Sequence, residues 1–238
     1  MRNVALAIRS VFFWTLSFAH FIPGALVITL LGLFLPPQRL QPFLLLFCRN
    51  VVRCTGARFS ARRSPGFAPD GVCFYAANHV EVFDPFLIAC ATDRPIRGLE
   101  LESHFKVPVY GWMMEKLGSV PVPDRLSREG FARMRANTKR ALARGTSLVV
   151  FPEGTRTRDG KLGPFRSGLF RLAVDLQVPI VPVSLVGAYA VKRVGSRRLS
   201  PGEIVVHLHD AVPPGDDPVA LRNHVREIVN GPLEDARD

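Results

Sequence analysis

A histidine and an aspartate lie five residues apart in the stretch NHVEVFDPF, residues 78–86. An imidazole and a carboxylate are the parts of a general-base pair, in which the carboxylate orients the ring that accepts a proton. On a regular helix, side chains five residues apart point about 140° apart, so His79 and Asp84 can meet only across a loop. Pro85 suits the first position of a helix, which predicts a helix that begins here with Asp84 as its N-cap. Spacing alone leaves the plain alternative open, in which Asp84 only caps a helix and His79 is an ordinary loop residue.

A second polar stretch, FPEGTRTRDGKLGPFRSG at residues 151–168, begins where another strand is predicted to end. Its first turn contains Glu153, Gly154, Thr155 and Arg156. A flexible backbone and a guanidinium can together hold a phosphate through forked hydrogen bonds, although an Arg-rich solvated loop is the alternative. The spacing is not that of a Walker phosphate loop. The sequence also lacks a G-x-S-x-G nucleophile elbow, which favours direct activation of a substrate hydroxyl by the histidine.

The elements that must position these residues follow an alternating pattern. Short apolar runs predict buried strands at residues 72–77, 147–151, 179–187 and 203–209. Helical spacing predicts helices at 127–145, with Ser127 as N-cap, at 168–176, and in the tail after Pro213. This alternation predicts an α/β fold with a mixed, largely buried sheet flanked by helices. Both polar stretches then follow strand ends, where α/β proteins place their sites.

The N-terminal region is apolar, because residues 10–35 contain no Asp, Glu, Lys or Arg. This length suffices for a membrane span, but Pro23-Gly24 divides it into halves shorter than the roughly 17 residues that a span requires. Basic residues flank the run, at Arg2, Arg9, Arg39, Arg49 and Arg53. Because basic flanks stay cytosolic, we expect a membrane-inserted hairpin bent at Pro23-Gly24, with one kinked spanning helix as the alternative. Residues 40–52 continue as an amphipathic segment that suits the membrane interface.

The composition indicates a basic globular protein with an anionic partner. The 238 residues carry a formal net charge of +11 and are 47% hydrophobic. A phosphorylated substrate, an anionic membrane surface or an acidic carrier protein fits this charge, and a solvated Arg-rich face is the alternative. We expect no nucleic acid partner, because no nucleic-acid motif accompanies the charge.

Cysteines and histidines elsewhere give no sign of a metal site. The four cysteines, none of them in a C-x-x-C pair, are expected to be reduced core thiols: Cys48, Cys54, Cys73 and Cys90. His207 and His209 share one face of a predicted strand, but no third ligand accompanies them. We therefore expect neither a metal nor a disulfide.

Four blocks in their order resemble the glycerolipid acyltransferases, the superfamily of the 1-acylglycerol-3-phosphate (lysophosphatidic acid) acyltransferases. The blocks are NHVEVFDP, GSVPVPDR at 118–125, FPEGTRTRDGKLGPFRSG, and VPIVPVSLVG at 178–187. Two positions depart from the family pattern. Glu81 stands where relatives often carry Ser or another small polar residue, and Pro121 where they often carry an apolar strand residue. Both departures leave the acceptor open.

The resemblance implies a reaction and roles for the residues. His79 would deprotonate an acceptor hydroxyl while Asp84 holds His79, and the oxygen would attack the thioester of acyl-CoA or acyl-carrier protein. The acceptor implied is the lysophospholipid 1-acylglycerol-3-phosphate, which gives phosphatidic acid without a metal or cofactor. Residues 153–156 and Arg125 would bind the acceptor phosphate, and Lys106 is a further candidate.

These inferences predict a two-part organisation. Residues 1–55 form a membrane-associating helical region, and residues 56–238 form the acyltransferase α/β domain. We expect the protein among membrane lipids at the cytosolic face of a bacterial inner membrane. The alternatives are the same chemistry on another lysolipid, such as lyso-ornithine lipid, and a catalytically silent membrane module that binds lipid phosphate.

Overall fold

The computed structural model describes residues 2–67, 70–92, 94–125 and 127–236. The strands are β1 (Arg58–Arg63), β2 (Phe74–Ala77), β3 (Ile96–Leu101), β4 (Val120–Val122), β5 (Ser147–Val150), β6 (Ile180–Val186) and β7 (Glu203–Leu208). The helices are α1 (Arg2–Leu31), α2 (Gln41–Arg53), α3 (Asp84–Thr92), α4 (Tyr110–Leu117), α5 (Arg128–Ala143), α6 (Gly168–Leu176), α7 (Ala188–Val191) and α8 (Pro218–Asp235). A short 3-10 helix, Glu102–Lys106, follows β3.

The strands form one mixed sheet in the order β1-β7-β6-β2-β5-β3-β4. The five strands from β6 to β4 run parallel to one another, while β7 pairs antiparallel with β6, and β1 pairs parallel with β7. The predicted mixed α/β sheet is therefore confirmed. Because the five parallel strands share a direction, their carboxyl ends lie along one side of the sheet, which we call the carboxyl edge.

Strand β2 lies at the centre of the sheet and is buried along its whole length. Successive side chains of a strand point to opposite faces. Tyr75 and Ala77 accordingly join the core beneath α1 to α4, whereas Phe74 and Ala76 join the core beneath α5, α6 and α8. Apolar packing on both faces fixes β2, and with it the loop that follows.

The predicted helices in the second half of the chain are confirmed, with α5 and α6 inside the predicted ranges and α8 in the tail. The Ser127 hydroxyl caps α5 by accepting a hydrogen bond from the Gly130 N–H at 3.0 Å. Strands β1, β3 and β4 and helix α4 were not predicted from the sequence.

The predicted hairpin bent at Pro23-Gly24 is wrong, because α1 continues through both residues as one helix. Proline removes one backbone hydrogen bond, but the helix continues when neighbouring packing supports it. Gly24 lies so close to α2 that a Cβ built on it would be 2.7 Å from Phe47 Cδ2. The chain reverses instead after Leu31, in a turn that contains Pro36 and Pro37.

The buried side chain of Arg97 in β3 connects this turn to the sheet. Its guanidinium donates to the Pro37 carbonyl and the Gln41 side-chain oxygen at 2.8 Å each, and its Nε donates to the Leu117 carbonyl. Burial lowers the pKa of Arg97 to about 10, which leaves it charged at neutral pH. Arg97 thus anchors the start of α2 and the end of α4 on the same strand.

Candidate active site

The residues singled out in the sequence follow different strands but lie along the carboxyl edge. His79 follows β2, and Arg156 lies in the loop after β5, which is the neighbour of β2 in the sheet. Lys106 ends the 3-10 helix after β3, and Arg125 follows β4. The topology therefore gathers all four positions on one side of the domain.

His79 and Asp84 form the predicted pair. His79 Nδ1 lies 2.8 Å from Asp84 Oδ2 across a loop that joins β2 to α3. The same carboxylate oxygen accepts hydrogen bonds from the backbone N–H groups of Val80, at 2.6 Å, and Glu81, at 2.9 Å. Asp84 is 0% exposed, so these bonds form in a site that excludes water. Charge-assisted bonds of this kind fix a carboxylate firmly.

The expected capping role of Asp84 is wrong in its geometry. Helix α3 begins at Asp84 itself, and the carboxylate accepts bonds from the loop before the helix rather than from its first turn. The Phe83 carbonyl opens the helix by accepting from the Leu87 N–H at 3.1 Å. The His79 ring and two loop amides occupy Asp84 Oδ2, and Asp84 Oδ1 makes no hydrogen bond to the described residues, so neither oxygen caps the helix.

The His79 ring is oriented from two directions. Asp84 holds Nδ1, and the ring stacks on Phe151 with centroids 4.0 Å apart and an angle of 18° between the planes. The side chain is 21% exposed, and in the described part of the chain Nε2 makes no hydrogen bond. With Nδ1–H directed at the carboxylate, Nε2 is the nitrogen that can accept a proton.

Glu153 connects the two loops from within. Its Oε1 accepts from the His79 N–H at 2.7 Å and its Oε2 from the Gly163 N–H at 2.8 Å. The Thr157 N–H donates to the His79 carbonyl at 2.8 Å, which adds a second link. Burial raises the pKa of Glu153, and the two amide donors oppose this rise. The geometry makes Glu153 a bridge that positions His79.

Asn78 is a site residue that sequence reasoning missed. Its side-chain oxygen accepts from the Leu185 N–H at 2.7 Å, and its amide donates to the Leu185 carbonyl at 3.1 Å. Asn78 therefore joins the end of β2 to β6, immediately before His79. The available signal was a polar amide directly after a fully apolar strand.

The loop after β5 borders a cleft of about 470 Å³. Four exposed cationic side chains line it: Arg156, Arg158, Lys161 and Arg166. Gly154 has φ +69°, and a Cβ there would lie 2.7 Å from Arg166 Nε, so a glycine lets the Arg166 side chain pack across the turn. Thr155 also lines the cleft. A cleft of this charge suits a phosphate.

Arg125 and Lys106 lie farther along the edge, on the side of β3 and β4. Their segments are joined where the Ser103 hydroxyl donates to Asp124 at 2.6 Å. Both cations are exposed, and among the described residues neither is hydrogen-bonded or ion-paired to the loop after β5. Both residues thus lie along the carboxyl edge, but neither contacts Arg156 through a hydrogen bond or an ion pair.

The cysteine and histidine residues outside the site form no evident metal centre. The described part of the chain contains no group of three His, Cys, Asp or Glu residues arranged to hold a metal ion. None of the four cysteines, all of which lie in the described part of the chain, is in a disulfide. The rings of His207 and His209 stack with centroids 6.2 Å apart, and His209 Nε2 lies 2.9 Å from the Ser184 hydroxyl.

The segment that contains this site is similar to a known family of proteins. A family model described as Acyltransferase matches residues 51–186, more than half of the chain. The chain belongs to the acyltransferase family. The matched segment contains His79, Asp84 and the loop with Arg156.

Several relatives of this acyltransferase family member carry one name. A 1-acyl-sn-glycerol-3-phosphate acyltransferase of Chlamydomonas reinhardtii is 31% identical over 166 residues, which cover 69% of this chain and 49% of the algal protein. A protein of the same name from Salmonella typhimurium is 27% identical over 174 residues, which cover 73% of this chain and 69% of that protein. The chain spans about half or less of the length of the algal and plant relatives.

A solved structure has the same fold. The 1-acyl-sn-glycerophosphate acyltransferase PlsC of Thermotoga maritima superposes with a TM-score of 0.83 at 22% identity, covering 100% of this chain and 98% of that one. At this identity the likeness concerns the fold, which extends over the N-terminal helices as well as the sheet.

The bridging position of Glu153 predicts how its substitution acts. In Glu153→Gln the amide can accept from only one of the two backbone donors, so His79 is held less firmly. We expect kcat for acyl transfer to fall by about 10- to 100-fold, with little change in the KM of the acceptor. Steady-state kinetics measure both, and Glu115→Gln, an exposed carboxylate on α4, is the matched control. A raised acceptor KM with unchanged kcat would instead place Glu153 in contact with the substrate.

Proposed function

We propose that the protein transfers a fatty acyl group from acyl-CoA or acyl-carrier protein to the free hydroxyl of 1-acylglycerol-3-phosphate, giving phosphatidic acid. The observation that carries the proposal is the 2.8 Å contact between His79 Nδ1 and the buried Asp84 carboxylate. It lies inside a segment that matches the acyltransferase family, and several relatives are named for this reaction.

In the proposed mechanism His79 acts as general base and then as general acid. Nε2 takes the proton of the acceptor hydroxyl as its oxygen attacks the thioester carbonyl, and Asp84 stabilises the imidazolium that forms. As the tetrahedral intermediate collapses, the carbon–sulfur bond breaks and the imidazolium returns its proton to the departing thiolate. The new ester is the product, and no covalent acyl-enzyme is formed.

The acceptor phosphate is assigned to the cationic cleft. Arg156 is exposed there and lies in the loop bonded to the His79 backbone through Thr157. Arg125 and Lys106, from the neighbouring strand ends, supply further positive charge on the same edge. The net charge of +11 also suits the phosphates of coenzyme A or an acidic carrier protein.

The fatty acyl chain is assigned to an apolar cavity beside the pair. Its lining includes Phe151, which stacks on His79, as well as Pro85 and Phe86 at the start of α3. An acyl chain in this cavity would therefore lie beside Phe151, the residue on which the imidazole stacks.

Membrane attachment is assigned to α1 and α2. The helix Asn3–Leu31 contains an 18-residue stretch with a mean hydropathy of 1.8, so it is long and apolar enough to cross a membrane, and only 17% of that stretch is buried. One face of α1 is bound to the domain, where Trp14 Nε1 donates to the Arg197 carbonyl and Arg9 to the Gly56 carbonyl, at 2.8 Å each. We therefore propose that the other face enters the lipid, on the cytosolic side that the basic flanks favour.

Acceptor recognition can be tested with matched lysolipids. In Arg156→Ala we expect the KM for 1-acylglycerol-3-phosphate to rise by about tenfold or more, since a charge-assisted hydrogen bond is lost. Arg144→Ala, an exposed arginine after α5 at the opposite edge, is the control. If purified protein acylates lyso-ornithine lipid while 1-acylglycerol-3-phosphate stays unchanged, the proposed acceptor is wrong. If no lysolipid reacts with either donor, the protein is a binding module.

Membrane attachment can be tested by vesicle flotation. Ile8 and Phe12 lie one helical turn apart on α1 and are 66% and 60% exposed. Changing both to Glu should reduce binding to anionic vesicles by about tenfold or more, because two apolar side chains no longer enter the lipid. Val219→Glu, at a 49% exposed site on α8, should leave binding unchanged. Equal binding of all three proteins would contradict the proposed role of α1.

A further inference from the structure

Glu81 is a buried acid in the loop between His79 and Asp84. It is 2% exposed, and its Oε1 accepts a hydrogen bond from the Phe83 N–H at 2.8 Å. Its own N–H donates to Asp84, so Glu81 is bonded at both its backbone and its side chain within the same loop. Two carboxyl groups, those of Glu81 and Asp84, therefore hold this loop by accepting hydrogen bonds from its backbone amides.

Two oxygen atoms of these carboxyl groups lack a partner. Glu81 Oε2 and Asp84 Oδ1 are both buried and make no hydrogen bond to the described residues. Three donors satisfy Asp84 Oδ2, whereas the Glu81 carboxyl group accepts one hydrogen bond, so Glu81 is the group whose ionised form is more strongly disfavoured away from water. Two such charges in one short loop would also repel each other.

One cationic side chain, that of Lys192, acts against the neutral form of Glu81. Lys192, which is buried and follows α7, favours the charged form of Glu81, but its Nζ donates to the Arg193 carbonyl at 2.9 Å. Burial lowers the pKa of Lys192, Glu81 opposes this fall, and the charge of Arg156 adds to it. On the other side of the loop His79 and Glu153 adjoin Asp84. Burial, and next the charge of Asp84, raise the pKa of Glu81 well above its ordinary value.

We propose that Glu81 is a positioning residue that works as a neutral carboxylic acid, holding the loop in shape so that Asp84 alone carries its negative charge towards His79. The inference rests on the proposed function for its kinetic consequence. A second negative charge beside Asp84 would repel its carboxylate and disturb the contact that orients His79. Protonation removes the charge from a carboxyl group whose Oε2 is buried without a hydrogen-bond partner among the described residues.

The kinetic test uses the uncharged isostere. Glu81→Gln keeps the acceptor for the Phe83 N–H, so its rate at neutral pH should stay within about threefold of the wild type, whereas Glu81→Ala should lose about tenfold or more. The wild-type rate should fall on the alkaline side as Glu81 ionises, and Glu81→Gln should keep its rate to higher pH. Loss of activity in Glu81→Gln, or the same alkaline fall in both proteins, overturns the proposal.

A second test needs no activity, and so separates this proposal from the proposed function. The infrared spectrum of the wild type minus Glu81→Gln at neutral pH should contain the C=O stretch of a protonated carboxylic acid. The same difference for Glu115→Gln, an exposed control, should lack it. Absence of the band for Glu81 overturns the proposal whether or not the protein transfers acyl groups.

A neutral Glu81 also predicts how the stability of the folded protein changes with pH. Because the folded protein holds its proton at Glu81 above the ordinary pKa of 4.5, the free energy of unfolding falls as the pH rises above that value towards the raised pKa. Gln cannot ionise, so the melting temperature of Glu81→Gln should exceed that of the wild type by a margin that grows with pH. A margin independent of pH, or one that shrinks, contradicts a neutral Glu81.

Discussion

The site depends on one buried carboxylate oxygen. Asp84 Oδ2 accepts bonds from the His79 ring and from two backbone amides, and no part of Asp84 reaches solvent. A buried charge is tolerated only where donors compensate for the lost water. The three donors exist because the chain leaves β2, turns within five residues and enters α3, which returns Asp84 to the histidine. The central strand and the start of α3 are thus required for the same contact.

A second constraint holds the histidine loop against the loop after β5. Glu153 spans the two loops, and Asn78 attaches the first of them to β6 on the opposite side. The pair is therefore fixed from both neighbours of β2 in the sheet. This arrangement keeps the imidazole in one orientation while its free nitrogen stays accessible to a substrate.

The sequence predicted the elements that contain an apolar run or a helical spacing of apolar residues, and missed strands that contain neither. The runs around β2, β5 and β6 are apolar because these strands are buried in the middle of the sheet. Strand β1, RFSARR, is an exposed edge and carries no apolar pattern, while β3 contains the buried Arg97 and β4 contains Pro121 at the other edge. Edge strands accept proline and charged residues, so they lack the apolar run from which a buried strand is predicted.

The features that the sequence did not predict depend on contacts between residues that are far apart in the chain. The continuity of α1 through Pro23 depends on packing between Gly24 and Phe47, and the roles of Glu153 and Asn78 depend on backbone groups far along the chain. The His79–Asp84 pair lies in a local loop, but its spacing alone left the plain capping alternative open, and the resemblance of four blocks to the acyltransferases is what favoured the pair. The burial of Glu81 was not predictable, since a glutamate in a loop ordinarily faces water.

The central claim is that His79 is the base that activates the acceptor hydroxyl. The most direct measurement is the turnover of His79→Ala with 1-acylglycerol-3-phosphate and acyl-CoA or acyl-carrier protein, followed as phosphatidic acid by mass spectrometry. His224→Ala, an exposed histidine on α8, is the control, and melting curves establish that each variant is folded. We expect a loss of about 10³-fold or more for His79→Ala and none for the control. A folded His79→Ala with unchanged turnover would contradict it.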